Sequence, residues 1–437
     1  MASEWREVRL GELADEITVG HVGPMPAYVE GGIPFLRSQN VDRLRINDSD
    51  LKSIGFSAHD RLRKSALHPG DVVIVRTGRP GACAVIPTSL PVANCSDLVI
   101  VRPGRELDPW FLAYYINSAA VHGVSSQVVG AVQQHFNIGS ARNLTIRLPD
   151  LATQREVVEI LRALDDKIEL NRRMSQTLES MARALFKSWF VDFDPVHAKA
   201  ECRDTFLPGE IAGLFSDSFE DSEFGEIPSG WGISSLGQLC DRITDGSHSS
   251  PASVARGRPM ASVKDMRRWG FDVKGCRQIS ELDYLRLVRD DCRPRAGDVL
   301  IAKDGSFLKH IFVAERDLDL VVLSSVAILR PNIRIDPHLL AFSLLDDATM
   351  GRMSQYVSGA VLQRIVLKDF RQIPMLVPPI GLQRAWAMEV TPMIRRCWRH
   401  LDESDVLESM RDAIIPSLIS GRLTPNDAGP IGEATPL

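Results

Sequence analysis

The segment FLRSQNVDRLRI places Arg37, Gln39, Asn40 and Arg43 within seven positions, and ASVKDMRRWGF places Ser262, Lys264, Arg267 and Arg268 beside Trp269. Two apolar runs, GDVVIVRTG and GDVLIAKDG, each end in a basic residue near glycine. The first offers Arg76, Thr77 and Arg79, the second Lys303, Ser306 and Lys309. Two further Gly-Ala-Val stretches, VVGAVQQ and VSGAVLQ, lead to Gln133, Gln134, His135 and Asn137 in one case and to Gln363 and Arg364 in the other. Arginine and lysine fork onto phosphates and guanine edges, while the amides pair with adenine edges, so these residue types suit a surface that reads a nucleic-acid groove. Any one of them, taken alone, reads equally well as a solvated turn residue. Recurrence of the sets with varied side chains favours one docking geometry carrying two specificities, set on loops where function concentrates.

Motifs for bond-making chemistry are missing. The chain has no G-x-x-x-x-G-K-[ST] phosphate loop, no G-x-G-x-x-G, no H-E-x-x-H and no G-x-S-x-G. Pro378-Pro379 lies between Val377 and Ile380, without the preceding Asn or Asp and the following aromatic residue by which an amino-methyltransferase grips a flipped base. His197 near Asp192 and Asp194 is a single histidine at a helix end, and a solvated terminus explains it better than a metal site. The sequence reads as a reader or scaffold and not as a catalyst.

The elements that must position these residues come in two copies. Trp5, Gly11 and Asp15 recur as Trp231, Gly237 and Asp241; Gly70-Asp71 recurs as Gly297-Asp298; Asp108-Pro109 as Asp336-Pro337; Gln154-Arg155 as Gln383-Arg384. An offset that stays near 230 residues over such a length means a duplicated module of about that size, with small insertions in loops. Each copy has apolar strands punctuated by Pro, Asn and Asp, a helix after Asp-Pro, and an apolar strand ending in proline, after which a long helix begins. The expected fold class is α+β, with two similar globular domains separated by two long helices packed as an antiparallel coiled coil, a pseudo-two-fold repeat.

From Ala152 to Trp189 no Pro or Gly interrupts the chain, and Val157, Leu161, Leu164, Ile168, Asn171, Ser175, Leu178, Ala182, Leu185 and Trp189 follow a four-three spacing. That is a coiled-coil seam, and about 38 helical residues make a rod of about 57 Å. Asn171 and Ser175 read either as register-setting polar contacts or as merely tolerated ones, with register the favoured reading. The second helix keeps the spacing at Val390, Ile394, Cys397 and Leu401, slips after Ser404, and resumes at Leu407, Met410, Ile414 and Leu418. Pro392 is expected to kink it or to mark the end of its first turns. The expected division is a first module at 1–150, the central helix at 151–195, a linker at 196–230, a second module at 231–380, the C-terminal helix at 381–422 and a flexible tail at 423–437.

A formal net charge of −5 does not single out a nucleic-acid binder, and local clustering matters more than the sum. The seven cysteines are dispersed without a C-x-x-C pair, which suits reduced thiols. With no signal-peptide pattern at MASEWREVRL and no long apolar run, the expectation is a cytoplasmic chain with no membrane contact.

The opening W-x-x-x-x-L-G-E-L, the GDVVIV strand, and above all LPDLATQREVVEILRALDDKIELNRRM with LFKSWFVDFDPV resemble the specificity subunits of type I restriction–modification enzymes. GEIPSGWGISSLGQL through LVPPIGLQRAW resembles the second half of the same family, so the likeness covers essentially the whole chain. It departs at Gly381-Leu382-Gln383, where an acidic residue commonly precedes the glutamine, and at Pro392. The resemblance implies a non-catalytic subunit with two target recognition domains, each reading half of a split target in double-stranded DNA. The helices would set the gap and bind two methyltransferase subunits, which a translocating endonuclease subunit joins. Arg155, Glu156, Arg172 and Arg173, on outer faces of the central helix, are the candidate docking residues. No cofactor is expected on this chain; S-adenosylmethionine, ATP and Mg2+ are expected in the partners. A coiled-coil scaffold with two peptide-binding modules, or a subunit of a modification-only system, would share most of these features.

Overall fold

The computed structural model describes residues 5–122, 136–303, 309–355 and 366–425. The chain forms two compact units, one comprising Met1–Ile168 with Asp405–Leu437, the other Glu169–Ser404. Each long helix is therefore divided between the units, where the sequence placed the helices as separate segments.

In the first unit, a four-stranded antiparallel sheet runs in the order Ala14–Val19, Leu98–Pro103, Val72–Val75, Cys83–Val85. All four residues of Val72–Val75 are buried because both faces are covered. Successive side chains point to opposite faces. Val72 and Ile74 join a core with Phe111, Leu112 and Tyr114, while Val73 and Val75 join another with Leu36, Leu67 and Ile86. A second sheet follows the order Lys52–Ile54, Tyr28–Leu36, Ala93–Cys95, Ala66–Leu67, with Tyr28–Leu36 and Ala93–Cys95 parallel.

The second unit repeats this plan. Cys240–Asp245, Val326–Pro331, Val299–Ala302 and Ile311–Val313 form the antiparallel sheet, and Arg258–Ala261 pairs in parallel with Val321–Val322. Each unit also carries a two-stranded ribbon, Arg6–Arg9 with Thr145–Leu148 and Gly232–Ser235 with Pro374–Val377. The C-terminal strand of each ribbon leads into a long helix, Leu151–Phe190 or Ile380–Ile419.

The same buried glutamine fastens each long helix to its unit. Gln154 Oε1 accepts from the Asp108 N–H at 2.8 Å, and its Nε2 donates to the carbonyls of Glu106 and Pro149. Gln383 repeats all three bonds with Asp336 N–H, Arg334 O and Pro378 O. Asp108 and Asp336 in turn cap the helices that begin Pro109 and Pro337.

The two helices pack antiparallel. In the first unit, Val157 and Leu161 share a core with Ile415, Leu418 and Ile419, and Asp165 bonds Arg411 at 2.6 Å. In the second, Asn171 faces Glu403 and Ser404, Ser175 faces His400, and Phe186 packs on Trp386. Partner numbers fall as central-helix numbers rise. Every expected seam position of the central helix is buried or half-buried.

Three expectations are corrected. Met410 is 46% exposed, because Arg411 turns inward to Asp165 and Tyr114 lies on the same carboxylate, while Leu407 and Ile414 are half-buried and Leu418 buried as expected, joined by Ile415 and Ile419. The helix runs unbroken through Pro392, so the proline does not end its first turns. Proline removes the hydrogen bond to the Met388 carbonyl, but Met388 is exposed, so water can take that bond. The segment 196–230 is no open linker. It forms the helix Asp194–Ala200 and the hairpin Phe219–Ser222/Gly225–Pro228, and Val196, Phe215 and Ile227 enter the second unit's core.

Candidate nucleic-acid interface

In the first unit, strand Tyr28–Leu36 ends at Arg37, which precedes the single 3-10 turn Ser38–Asn40. Asn40 is fully buried. Its Oδ1 accepts from Arg37 N–H, and its Nδ2 donates to the carbonyls of Asn47 and Ser49, so it welds the loop together and does not face solvent. Asp50 gathers the loop's donors: Arg37 reaches its carbonyl at 2.6 Å and its carboxylate at 3.1 Å, Gln39 its carboxylate at 3.2 Å, and Lys52 pairs with it as well. Lys52 first, then Arg37, hold the Asp50 carboxyl below its usual range. Arg43 is exposed.

The turn after Val72–Val75 meets this loop at Asp97. Thr77 Oγ1 donates to the Asp97 carboxylate at 2.5 Å, Arg76 pairs with it at 3.4 Å, and Ser38 Oγ lies within 3.4 Å. Arg79 pairs with Asp42 at 2.6 Å. Phe136 N–H donates to the Arg76 carbonyl, which ties the returning chain to the same turn. Next to it, Asn137 caps the short helix Ile138–Arg142 by accepting from Ser140 N–H. The structure thus brings residues 37–43, 76–79 and 137 to one end of the sheet. Gln133, Gln134 and His135 lie outside the described residues.

The second unit keeps the geometry and changes the chemistry. Ser262 precedes the matching 3-10 turn Val263–Asp265, and buried Asp265 accepts from Ser262 N–H and Oγ as Asn40 does from Arg37. Ser325 stands before the strand where Asp97 stands in the first unit. Its Oγ accepts from Val263 N–H and its carbonyl from Lys303 N–H. Lys303, counterpart of Arg76, is buried, and its ammonium lies 2.5 Å from Asp245, whose other oxygen lies 3.2 Å from His248. Arg267 pairs with Asp272 at 3.0 Å, and Arg268 bonds Glu179 of the central helix at 2.8 Å. Lys264 and Lys309 are exposed. Ser306, Gln363 and Arg364 lie outside the described residues.

Several residues expected at the interface therefore hold the scaffold: Asn40, Asn137, Ser262, Lys303 and Arg268 spend their donors or acceptors internally. The acids Asp42, Asp50, Asp97 and Asp245 were missed. Asp50 and Asp97 take positive φ, a turn-forming habit of aspartate. A cation already paired to a carboxylate meets a phosphate by exchange, so the acids tune each basic group and can themselves accept from cytosine or adenine amino groups.

On the central helix, Arg155 and Glu156 are exposed in the first unit. In the second, Arg172 and Arg173 both bond Glu169, whose carboxyl is held at about 2, chiefly by Arg172. Leu170, Met174 and Met181 lie exposed on the same stretch at helical spacing. Among the described residues no group of His, Cys, Asp and Glu is placed to hold a metal ion, and no helix is long and apolar enough to cross a membrane.

Each α+β unit thus gathers polar loops at one end of its sheet and roots a long helix through a buried glutamine. Residues 2–180 match the family described as type I restriction modification DNA specificity domain, and the chain is similar to type I restriction enzyme specificity subunits. It is 58% identical over 222 residues to the type I restriction enzyme HindI specificity subunit of Haemophilus influenzae, covering 48% of this chain and 46% of that one. It is 23% identical over 289 residues to the MjaIX specificity subunit of Methanocaldococcus jannaschii, covering 64% and 61%. The chain thus spans about half to three-fifths of the length of these relatives. A crystal structure of a type I restriction-modification S subunit from M. genitalium shares the fold, with a TM-score of 0.55 at 15% identity over 95% of this chain and 96% of that one.

Proposed function

We propose that the chain is a non-catalytic subunit that reads a bipartite target in double-stranded DNA, each unit reading one half. The observation that carries this is the correspondence of the two loop sets: Arg37/Ser262, Asn40/Asp265, Arg76/Lys303 and Asp97/Ser325 occupy equivalent places in equivalent turns, with different hydrogen-bonding character. One scaffold with two polarities fits two different half-sites. The antiparallel helices set the number of base pairs between the half-sites. Their outer faces, with Arg155, Glu156, Arg172, Arg173 and the exposed Leu170, Met174 and Met181, dock two methyltransferase subunits, and restriction subunits join that core. S-adenosylmethionine, ATP and Mg2+ belong to those partners.

Duplex binding across a salt series tests the reading, because each phosphate neutralised adds about 0.9 to the slope of log affinity against log salt. Replacing residues 1–150 by another member's module is expected to change one half-site and leave the other. A heptad inserted into both helices is expected to change the gap and no base. Binding that ignores salt would favour the peptide scaffold, and complexes that methylate without cleaving would place the chain in a modification-only system.

A further inference from the structure

The loop between strands Ala14–Val19 and Tyr28–Leu36 belongs to none of the polar sets above, yet it is built against them. Gly20 N–H donates to Leu98 O and His21 N–H to Cys95 O, on either side of Asp97. A Cβ at Gly20 would come within 2.7 Å of Cys95 Sγ, so glycine is what permits the approach. Between His21 and Tyr28 the sequence is VGPMPA, with no charged side chain and two prolines that stiffen it. His21 Nε2 lies 2.9 Å from Pro24 O, closing the loop on itself. Its tip presents Val22 at 68% exposure and Met25 at 52%, with Tyr28 and Val29 also exposed at its foot.

The second unit sews its counterpart loop in place by the same device. Gly246 N–H donates to Val326 O and Ser247 N–H to Val322 O, and a Cβ at Gly246 would meet Val322 O at 2.1 Å. Here the tip is Ser-His-Ser-Ser, and His248 is exposed beside Asp245. Both loops hold the same position next to the turn that carries Asp97 or Ser325, but one is apolar and the other hydrogen-bonding.

We propose that the Gly20–Ala27 loop is a specificity determinant that seats Val22 and Met25 on the C5-methyl group of a thymine in the major groove, and that the Gly246–Ser250 loop reads its half-site through His248 and serine hydroxyls. The proposal rests on the DNA-reading function above. Among groove features only the thymine methyl rewards an apolar contact. Arg37, Arg76 and Arg79, grouped around Asp50, Asp97 and Asp42, supply the phosphate contacts that would bring such a tip to the groove.

The test uses the full chain, purified with the subunits it carries, and a pool of randomised duplexes. The enriched sequence is then remade with deoxyuridine, which lacks only the C5 methyl, at each thymine in turn. In one half-site a single replacement is expected to weaken binding about fourfold, the effect of one buried methyl group. The Val22→Ser/Met25→Ser variant, altered only at exposed positions, is expected to bind the thymine duplex as weakly as the wild type binds the deoxyuridine duplex, to ignore the replacement, and to keep the other half-site. His248→Ala is expected to relax base choice in that other half-site alone. Indifference of the wild type to every replacement, or an unchanged preference in the double variant, overturns the loop assignment while leaving the DNA-reading function standing. Failure of the wild type to enrich any bipartite sequence overturns both.

Discussion

Gln154→Met removes three hydrogen bonds from a fully buried amide while keeping most of its volume. Asp108 N–H, Glu106 O and Pro149 O lose their partner at distances of 2.8, 2.9 and 3.0 Å. At about 1 kcal/mol net per bond the loss is about 3 kcal/mol, falling toward 2 if water reaches the half-buried Asp108 N–H. Gln154→Ala adds a cavity, for a further loss of about 1–2 kcal/mol. The stated partners sit where the ribbon, the Asp-Pro helix and the central helix meet, so the damage should appear there first. Hydrogen exchange read by mass spectrometry checks this: 3 kcal/mol corresponds to about a hundredfold loss of protection. Peptides covering Pro109–Ile116 and Leu151–Leu161 are expected to show it. The repeat supplies an internal control, because Gln383→Met is expected to do the same to Pro337–Leu344 and Ile380–Val390. A loss below about 1 kcal/mol for both methionine variants would refute the idea that these amides clamp helix to domain.

Asn171→Leu is expected to stabilise the chain against urea by about 1–2 kcal/mol, since Asn171 is fully buried and its Oδ1 has no partner among the described residues. The same change should loosen the helix alignment that its amide sets with Glu403, detectable as a broadened distance distribution between spin labels on the two helices. Lys303→Met leaves Asp245 buried without its cation and is expected to cost about 3–5 kcal/mol, whereas Arg79→Ala, at an exposed pair, should cost less than about 1 kcal/mol of stability and lower the salt slope of DNA binding by about 1. The Glu169 carboxyl, lowered to about 2 by Arg172 and Arg173, contributes stability above its unfolded value near 4.5 and loses it as the pH falls from 4.5 toward 2. Because the group is partly exposed, the slope is worth at most about 1 kcal/mol, and Glu169→Gln should remove it from an acid titration followed by circular dichroism.

Periodicity carried the fold: the four-three seam of the central helix and the recurring Gly-Asp, Asp-Pro and Gln-Arg pairs foretold the antiparallel helices and the duplicated α+β unit, because burial on a regular element prints its period in the sequence. The segment 196–230 was misread because its acidic serines and glycines outweigh the few residues, Val196, Phe215 and Ile227, that anchor it. At the interface the residue types were legible, but their partners were not. Lys303 and Arg76 look alike as basic strand-end residues, and only the fold shows that one is sunk against Asp245 and the other lies over Asp97. Likewise Asn40 and Asp265 read as polar loop residues, while the structure spends them on closing a turn. The Gly20 loop was passed over because apolar exposed residues carry no signal until their setting is known.

These assignments separate two kinds of position within one module. Gln154 and Gln383, Asn40 and Asp265, Gly20 and Gly246 are fixed by close approach or by filled hydrogen bonds, and changing them costs folding energy. Gln39, Arg43, Val22 and Met25, with Lys264 and His248 opposite them in the repeat, are at the surface, where substitutions shift stability by about 0.5 kcal/mol or less. A module built this way can exchange what it reads without losing what holds it. The two units of this chain already differ in that manner: an acid in the first turn set where the second has a serine, and a valine–methionine tip where the second has serine and histidine. The buried pair Asn40 and Asp265 differs too, but each closes its turn by accepting from the backbone N–H three residues before it, so the fold is kept.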